Sequence, residues 1–174
     1  MHSDTCRSCE ENEAERPDWG EGPWQNEPNY VPAFRHASLL CLLHRGGSGA
    51  WCGYVGVEPE HPVHGLDYNA VHELLPNLEV HGGLTYSEQC AGHICHVPEP
   101  GETDDVWWLG FDCNHSGDLA PSAAATGRKY GLSLPGFPGD RYRTMEYCRR
   151  ETMRLAEQLT AARAAKKKPE KVTA

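Results

Sequence analysis

Ser38-Leu39-Leu40-Cys41-Leu42-Leu43-His44-Arg45, Gly46-Gly47-Ser48-Gly49 and Ala50-Trp51-Cys52-Gly53-Tyr54-Val55-Gly56-Val57 follow one another without a break. Two apolar runs rich in leucine, valine and aromatic residues flank four small residues. Such runs read as buried strands, and a connection this short and glycine-rich ties them as an antiparallel hairpin. Gly53 and Gly56 inside the second run mark a bulge, or a place where another backbone or a ligand comes close.

Outward from the hairpin, Asp67 is placed to cap a short helix over Tyr68 to Leu75, which Pro76 stops. Leu78 to Tyr86 reads as a third strand interrupted by glycine, and Val106 to Asp112 as a fourth. The clearest helix runs from Arg141 to about Ala165, with Asp140 as its expected cap. In it Met145, Cys148, Thr152, Leu155, Ala156 and Leu159 recur at helical spacing, with Arg and Glu opposite. The fold class expected is α+β: an antiparallel sheet of about four or five strands packed by a C-terminal helix. Residues 1–36, with four prolines among acidic residues, read as an irregular strap anchored by Trp19, Trp24, Tyr30 and Phe34. Residues 37–165 form the single domain, 119–140 read as a long lid, and 166–174 as a basic disordered tail.

The bulk properties narrow the partners. The chain has 174 residues and a formal charge of −9. That charge argues against duplex nucleic acid, whose phosphates need a basic face. No run approaches the ~18 apolar residues of a membrane span. Met1 to Glu15 is polar and acidic, unlike a secretory signal, so the expected compartment is the cytoplasm. There, eight cysteines are more naturally buried thiols, metal ligands or reactive thiols than four disulfides. Cys41, Cys52 and Cys148 are expected in the core.

Three polar constellations carry chemistry. Asp112, His115 and Asp118 follow the double-tryptophan strand at intervals of three. Carboxylates with an imidazole bind a divalent metal (Zn, Mg or Mn) or divide acid and base roles. The plainer alternative is a turn whose carboxylates accept backbone N–H bonds. His81-Gly82-Gly83-Leu84-Thr85 offers bare N–H groups and a hydroxyl to an anion, or else is a bulge with His81 packed at its edge. Cys90, His93, Cys95 and His96, taken with Cys6 and Cys9, offer soft ligands for tetrahedral zinc. Their spacing departs from the usual fingers, however, and independent loop residues are the plainer reading. His96 is also expected to share the cleft of His115. Trp108 has the strand parity of Asp112 and could stack a ring there, with simple packing as the alternative. His61 and His64 read as solvated loop histidines.

Taken together, Trp51–Val57, His61-Pro62, His81–Thr85, Ile94–Pro98 and Trp107–Asp118 resemble a family of small uncharacterised proteins encoded in tailed bacteriophage and prophage genomes. The family's tyrosine-led terminal helix is similar to Tyr142–Tyr147 with Leu155–Leu159. The resemblance implies a phage accessory protein acting in the cytoplasm of the infected host, where host takeover and evasion of immunity are common roles. The residues themselves lead to three readings. In the first, a metal-dependent hydrolase acts on a small phosphorylated or nucleotide-like molecule through Asp112, His115, Asp118 and His81. Its metal ligands are Asp112, His115, Asp118 and His96, and Gly82, Gly83, Thr85 and Trp108 contact the substrate. In the second, the same cleft captures a nucleotide signal without turnover. In the third, the acidic surface binds and inhibits a host protein.

Overall fold

The computed structural model describes residues 7–92, 94–96, 98–102, 105–132 and 139–166. Five strands, β1 (Tyr30–His36), β2 (Leu39–Arg45), β3 (Trp51–Val57), β4 (Tyr86–Gln89) and β5 (Trp107–Asp112), form one antiparallel sheet in the order β1-β2-β3-β5-β4. The helices are α1 (Arg7–Glu15), α2 (Tyr68–Leu74), α3 (Pro121–Tyr130) and α4 (Met145–Lys166). This is the expected α+β arrangement, with α4 packed across β2 and β3.

Strand alternation sorts the core into two layers. Leu39, Cys41 and Leu43 of β2, Trp51, Val55 and Val57 of β3, and Leu109 and Phe111 of β5 face Cys148, Leu155, Ala156 and Leu159 of α4. The opposite face carries Leu42, Tyr54 and Trp108, and is closed by Ile94 and Val106. Both faces of the three central strands are therefore dry, which is why they read as apolar runs. Gly53 lets α4 approach: a Cβ there would lie 2.1 Å from Thr152 Oγ1 and 2.7 Å from the Phe111 ring.

Several boundaries differ from expectation. Residues 7–36 are not irregular, because α1, two short 3-10 turns at Arg16–Trp19 and Pro23–Asn26, and β1 occupy them. β1 escapes detection because it is an edge strand. Its outer positions are half-buried or exposed, and its register slips between Val31 and Phe34, around Pro32. Within the expected lid, Pro121–Tyr130 forms α3, while residues 133–138 lie outside the described residues. The third strand begins at Tyr86, since 79–85 turn instead. Asp67 caps α2 as expected, accepting from the N–H groups of Asn69 and Ala70. The long helix begins at Met145, and Thr144 Oγ1 accepts from Tyr147 N–H at 3.2 Å. Asp140 is not its cap; residues 139–144 are outside any helix, with Arg141 bridged to Asp118. Lys166 closes α4, and 167–174, the rest of the expected tail, lie outside the described residues. No helix among the described residues is long and apolar enough to cross a membrane.

One carboxylate joins the N-terminal segment to everything else. Glu27 Oε2 accepts from Arg45 Nη2 at 2.9 Å, Trp51 Nε1 at 2.9 Å and the Tyr142 hydroxyl, while its Oε1 accepts from Met145 N–H at 2.9 Å. Arg45 is wholly buried, stacked 4.6 Å from the Trp51 ring centroid and donating to Gly49 O and the Tyr142 hydroxyl. Asn12 of α1 bonds the carbonyls of Arg45 and Gly46, closing the same corner. Removing one member of a buried ion pair strands the other. Glu27→Ala is expected to destabilise the fold by about 3–5 kcal/mol, read as a lower urea midpoint. A midpoint equal to the parent's would show that water replaces the carboxylate at no cost.

Candidate functional site

β5 leaves the core at Asp112, and the chain turns at once. Cys113 N–H bonds Trp51 O, Asn114 N–H bonds the Asp112 carboxylate at 3.0 Å, and Asp118 N–H returns to His115 O. This compact turn holds Asp112, His115 and Asp118 together. The loop carrying His81 closes over it because Gly82 has no side chain. A Cβ at Gly82, whose φ is +67°, would lie 2.1–2.4 Å from the His115 ring. Its backbone conformation also favours glycine.

Asp118 is the hub and is nearly inaccessible to solvent. Its Oδ2 pairs with His81 Nε2 at 2.7 Å and accepts from His115 N–H at 3.1 Å; its Oδ1 accepts from Arg143 Nε at 2.7 Å. Burial alone would raise the Asp118 carboxyl, but the hydrogen bonds from Arg143, His81 and His115 N–H outweigh it and hold it below the usual carboxylate range. The segment before α4 delivers Arg143, since Arg141 N–H bonds Gly117 O and Leu119 N–H bonds Arg141 O.

His81 is fixed on both sides. Its Nδ1 pairs with the Tyr147 hydroxyl at 3.0 Å, and its backbone N–H donates to Glu151 at 3.1 Å. Its ring meets His115 edge to face, centroids 5.6 Å apart. His115 differs in one respect. Its Nδ1 is sealed from solvent and has no hydrogen-bond partner, although Asp112 Oδ1 lies at 3.7 Å and Asp118 Oδ2 at 3.9 Å. The side chains of Asp112 and His115 are each about a third exposed, so the cluster opens to water on their side. Ligand atoms of His81, His115 and Asp118 all lie within 4.8 Å of one another, a geometry able to hold a metal ion.

The structure thus brings His81, Asp112, His115 and Asp118 together. Thr85 joins them indirectly, donating from Oγ1 to Asp112 Oδ2 at 2.8 Å and so orienting that carboxylate. The phosphate-cradle reading of the glycines is weakened at Gly83, whose N–H is already given to Val80 O. Trp108 cannot stack a ligand. It has the parity of Asp112, but Ile94 and Val106 cover that face, leaving Trp108 fully buried with its indole N–H on Cys90 Sγ at 3.4 Å.

His96 does not join this cluster. It lies beside Trp108 with ring centroids 6.3 Å apart, four strand residues from Asp112 or ~13 Å along β5. It belongs to a second group able to hold a metal, with Cys90 and Cys95. Those two cysteines are joined by a disulfide, against the expectation of free thiols, and Cys6 and His93 lie outside the described residues. Burial pushes the Cys41 and Cys52 thiols up to about 12, so neither is a ready nucleophile at neutral pH. Cys41 and Cys148 are buried as expected, and Cys52 is half-buried. His61 is buried and donates to Leu159 O at 2.9 Å, so it is a core residue and not a solvated one.

Sequence reasoning missed Tyr147 and Glu151. They stand four residues apart on one polar stripe beside the apolar stripe of the terminal helix, and Arg143 precedes them by the same interval just before the helix begins. That spacing was the available signal. No protein-family model, curated protein or solved structure matches the chain.

A lowered carboxyl stabilises the fold above its ordinary pKa, and that stability disappears as pH falls through the lowered folded value. Asp118→Asn is expected to cost about 1.5–3 kcal/mol at neutral pH, with the urea midpoints of variant and parent converging in acid below the ordinary carboxylate range. Parallel midpoints across the whole range would remove Asp118 from the pH dependence.

Proposed function

We propose that this chain is an accessory protein of a tailed phage or prophage that binds a divalent transition-metal ion through His81, His115 and Asp118 and hydrolyses a small phosphorylated or nucleotide-like molecule. The observation carrying the metal reading is His115 Nδ1, a sealed imidazole nitrogen facing two carboxylates 3.7 and 3.9 Å away. That spacing is too long for a hydrogen bond. It is close to the ~3.4 Å that separates two ligands of a tetrahedral ion with bonds of about 2.1 Å.

The outer partners support the same reading. Metal-bound histidines usually donate their second ring N–H to an anchoring group, and ligating carboxylates are themselves hydrogen-bonded. Ligation by His81 Nε2 would give up its hydrogen bond to Asp118 Oδ2 and place the ring proton on Nδ1, where the Tyr147 hydroxyl can accept it. Arg143 holds the other oxygen of Asp118. Two imidazoles with one carboxylate favour zinc or manganese over magnesium, which prefers oxygen ligands and water.

Such an ion supplies an activated water at neutral pH. Asp118, fully hydrogen-bonded, then has a holding role. Asp112, partly exposed and oriented by Thr85 and Asn114 N–H, is placed to accept the proton of a water that the ion would activate and to return it to the oxygen that leaves phosphorus. A Cβ at Gly83, whose φ is +87°, would meet nothing within 4 Å, so this side of the loop is open. The phage assignment rests on the resemblance of the sequence blocks.

Elemental analysis of untagged protein is expected to find one ion per chain, absent in His115→Ala. Tyr147→Phe, which keeps every ligand, is expected to weaken binding by roughly 10–100-fold. The loaded protein, incubated with nucleoside mono-, di- and triphosphates, is expected to yield products heavier by one water in total, read by mass spectrometry. Intact nucleotide released on denaturation would favour capture without turnover. Protein that takes up no zinc or manganese would overturn the proposal.

A further inference from the structure

Cys90, Cys95 and His96 lie at the other end of β5 and have no part in the site above. We infer that, when the Cys90–Cys95 bond is reduced, Cys90 Sγ, Cys95 Sγ and a ring nitrogen of His96 bind a zinc ion, which replaces the disulfide in fastening this loop over the second face of the sheet.

Three observations carry this. First, one ligand atom from each residue already lies within 4.8 Å of the others. Second, His96 Nδ1 is sealed from solvent without a hydrogen-bond partner, the same signature His115 shows in the first cluster. Third, the Trp108 indole N–H points at Cys90 Sγ at 3.4 Å. An N–H donor aimed at a sulfur stabilises the negative charge of a thiolate, and such outer-shell donors accompany metal-bound ligands. Two thiolates and an imidazole are soft donors that select zinc, with the fourth position left to solvent.

Neighbouring side chains such as Cys95 and His96 would point to opposite faces in an extended chain. An isolated bridge between Ala91 and Ile94 folds the chain back, and ligand atoms of Cys95 and His96 both lie within 4.8 Å of the sulfur of Cys90. Cys90, Cys95 and His96 are all half-buried, which leaves the bond open to a small reductant. Ile94 seals Leu42, Tyr54 and Trp108 beneath this loop, so whatever joins Cys90 to Cys95 also holds the cover on that layer.

The exchange balances. A dithiol reductant gives two electrons and two protons to the S–S bond and becomes a disulfide itself, leaving two thiols. Zinc then displaces both thiol protons into solvent, so binding weakens in acid.

The test uses full-length His115→Ala protein, so that the first cluster contributes no ion and failure here is separate from failure there. After reduction by a phosphine and anaerobic desalting, Co²⁺ is titrated. The expected result is one equivalent bound with the charge-transfer absorption that thiolate ligation gives. Zn²⁺ should bleach that absorption, and neither oxidised protein nor the Cys90→Ser, Cys95→Ser and His96→Ala variants should show it. Zn²⁺ should also raise the urea midpoint of the reduced His115→Ala protein and leave that of its oxidised form unchanged. A reduced, folded chain showing no thiolate absorption, or binding that survives Cys90→Ser or Cys95→Ser, would overturn the inference.

Discussion

The buried pair of Glu27 and Arg45 is the constraint on which the other contacts depend. Arg45 ends β2 beneath aromatic rings, where an unpaired guanidinium would be very costly. Glu27 answers it and also accepts from Trp51 on β3, Tyr142 before α4 and the first N–H of α4. One carboxylate therefore sets where the N-terminal segment lies and where the long helix begins. Buried ion pairs are a weak source of net stability, but a misplaced one is heavily penalised. Here the pair fixes one packing of three segments distant in sequence.

From that starting point α4 serves two purposes. Cys148, Thr152, Leu155 and Leu159 face the sheet, while Tyr147 and Glu151, together with Arg143 just before the helix, reach the histidine and carboxylate cluster. The cluster thus stands on the element that completes the core, which holds its geometry more tightly than loops alone can. The corner around Glu27 and the cluster around Asp118 are joined through a few residues, from Tyr142 to Tyr147.

What the sequence revealed follows from how much each residue is constrained. β2, β3 and β5 are dry on both faces, so almost every residue in them is apolar and the strands are legible. The meeting of His81 with the Asp112 loop was also expected from the sequence, and so was the plainer role of that loop as a turn in which Asp112 and Asp118 accept backbone N–H bonds. β1 was hidden because an edge strand carries Pro32, Arg35 and His36 without penalty. Trp108 misled because parity gives the face of a sheet but not what covers it; Ile94 and Val106 arrive from a loop whose path no periodicity encodes. His96 misled for the same reason. The Glu27–Arg45 pair was invisible: a glutamate among acidic residues and an arginine at a strand end look like solvated flanks until the rings around them are placed.

The slip of register at Pro32 has a consequence for how copies of the chain meet. An open strand edge offers unpaired N–H and C=O groups to any neighbour. On β1 a proline without a donor sits where the ladder shifts, so the row of groups is broken midway. At the far margin β4 is only four residues long. Neither border is a long, regular template for a foreign strand.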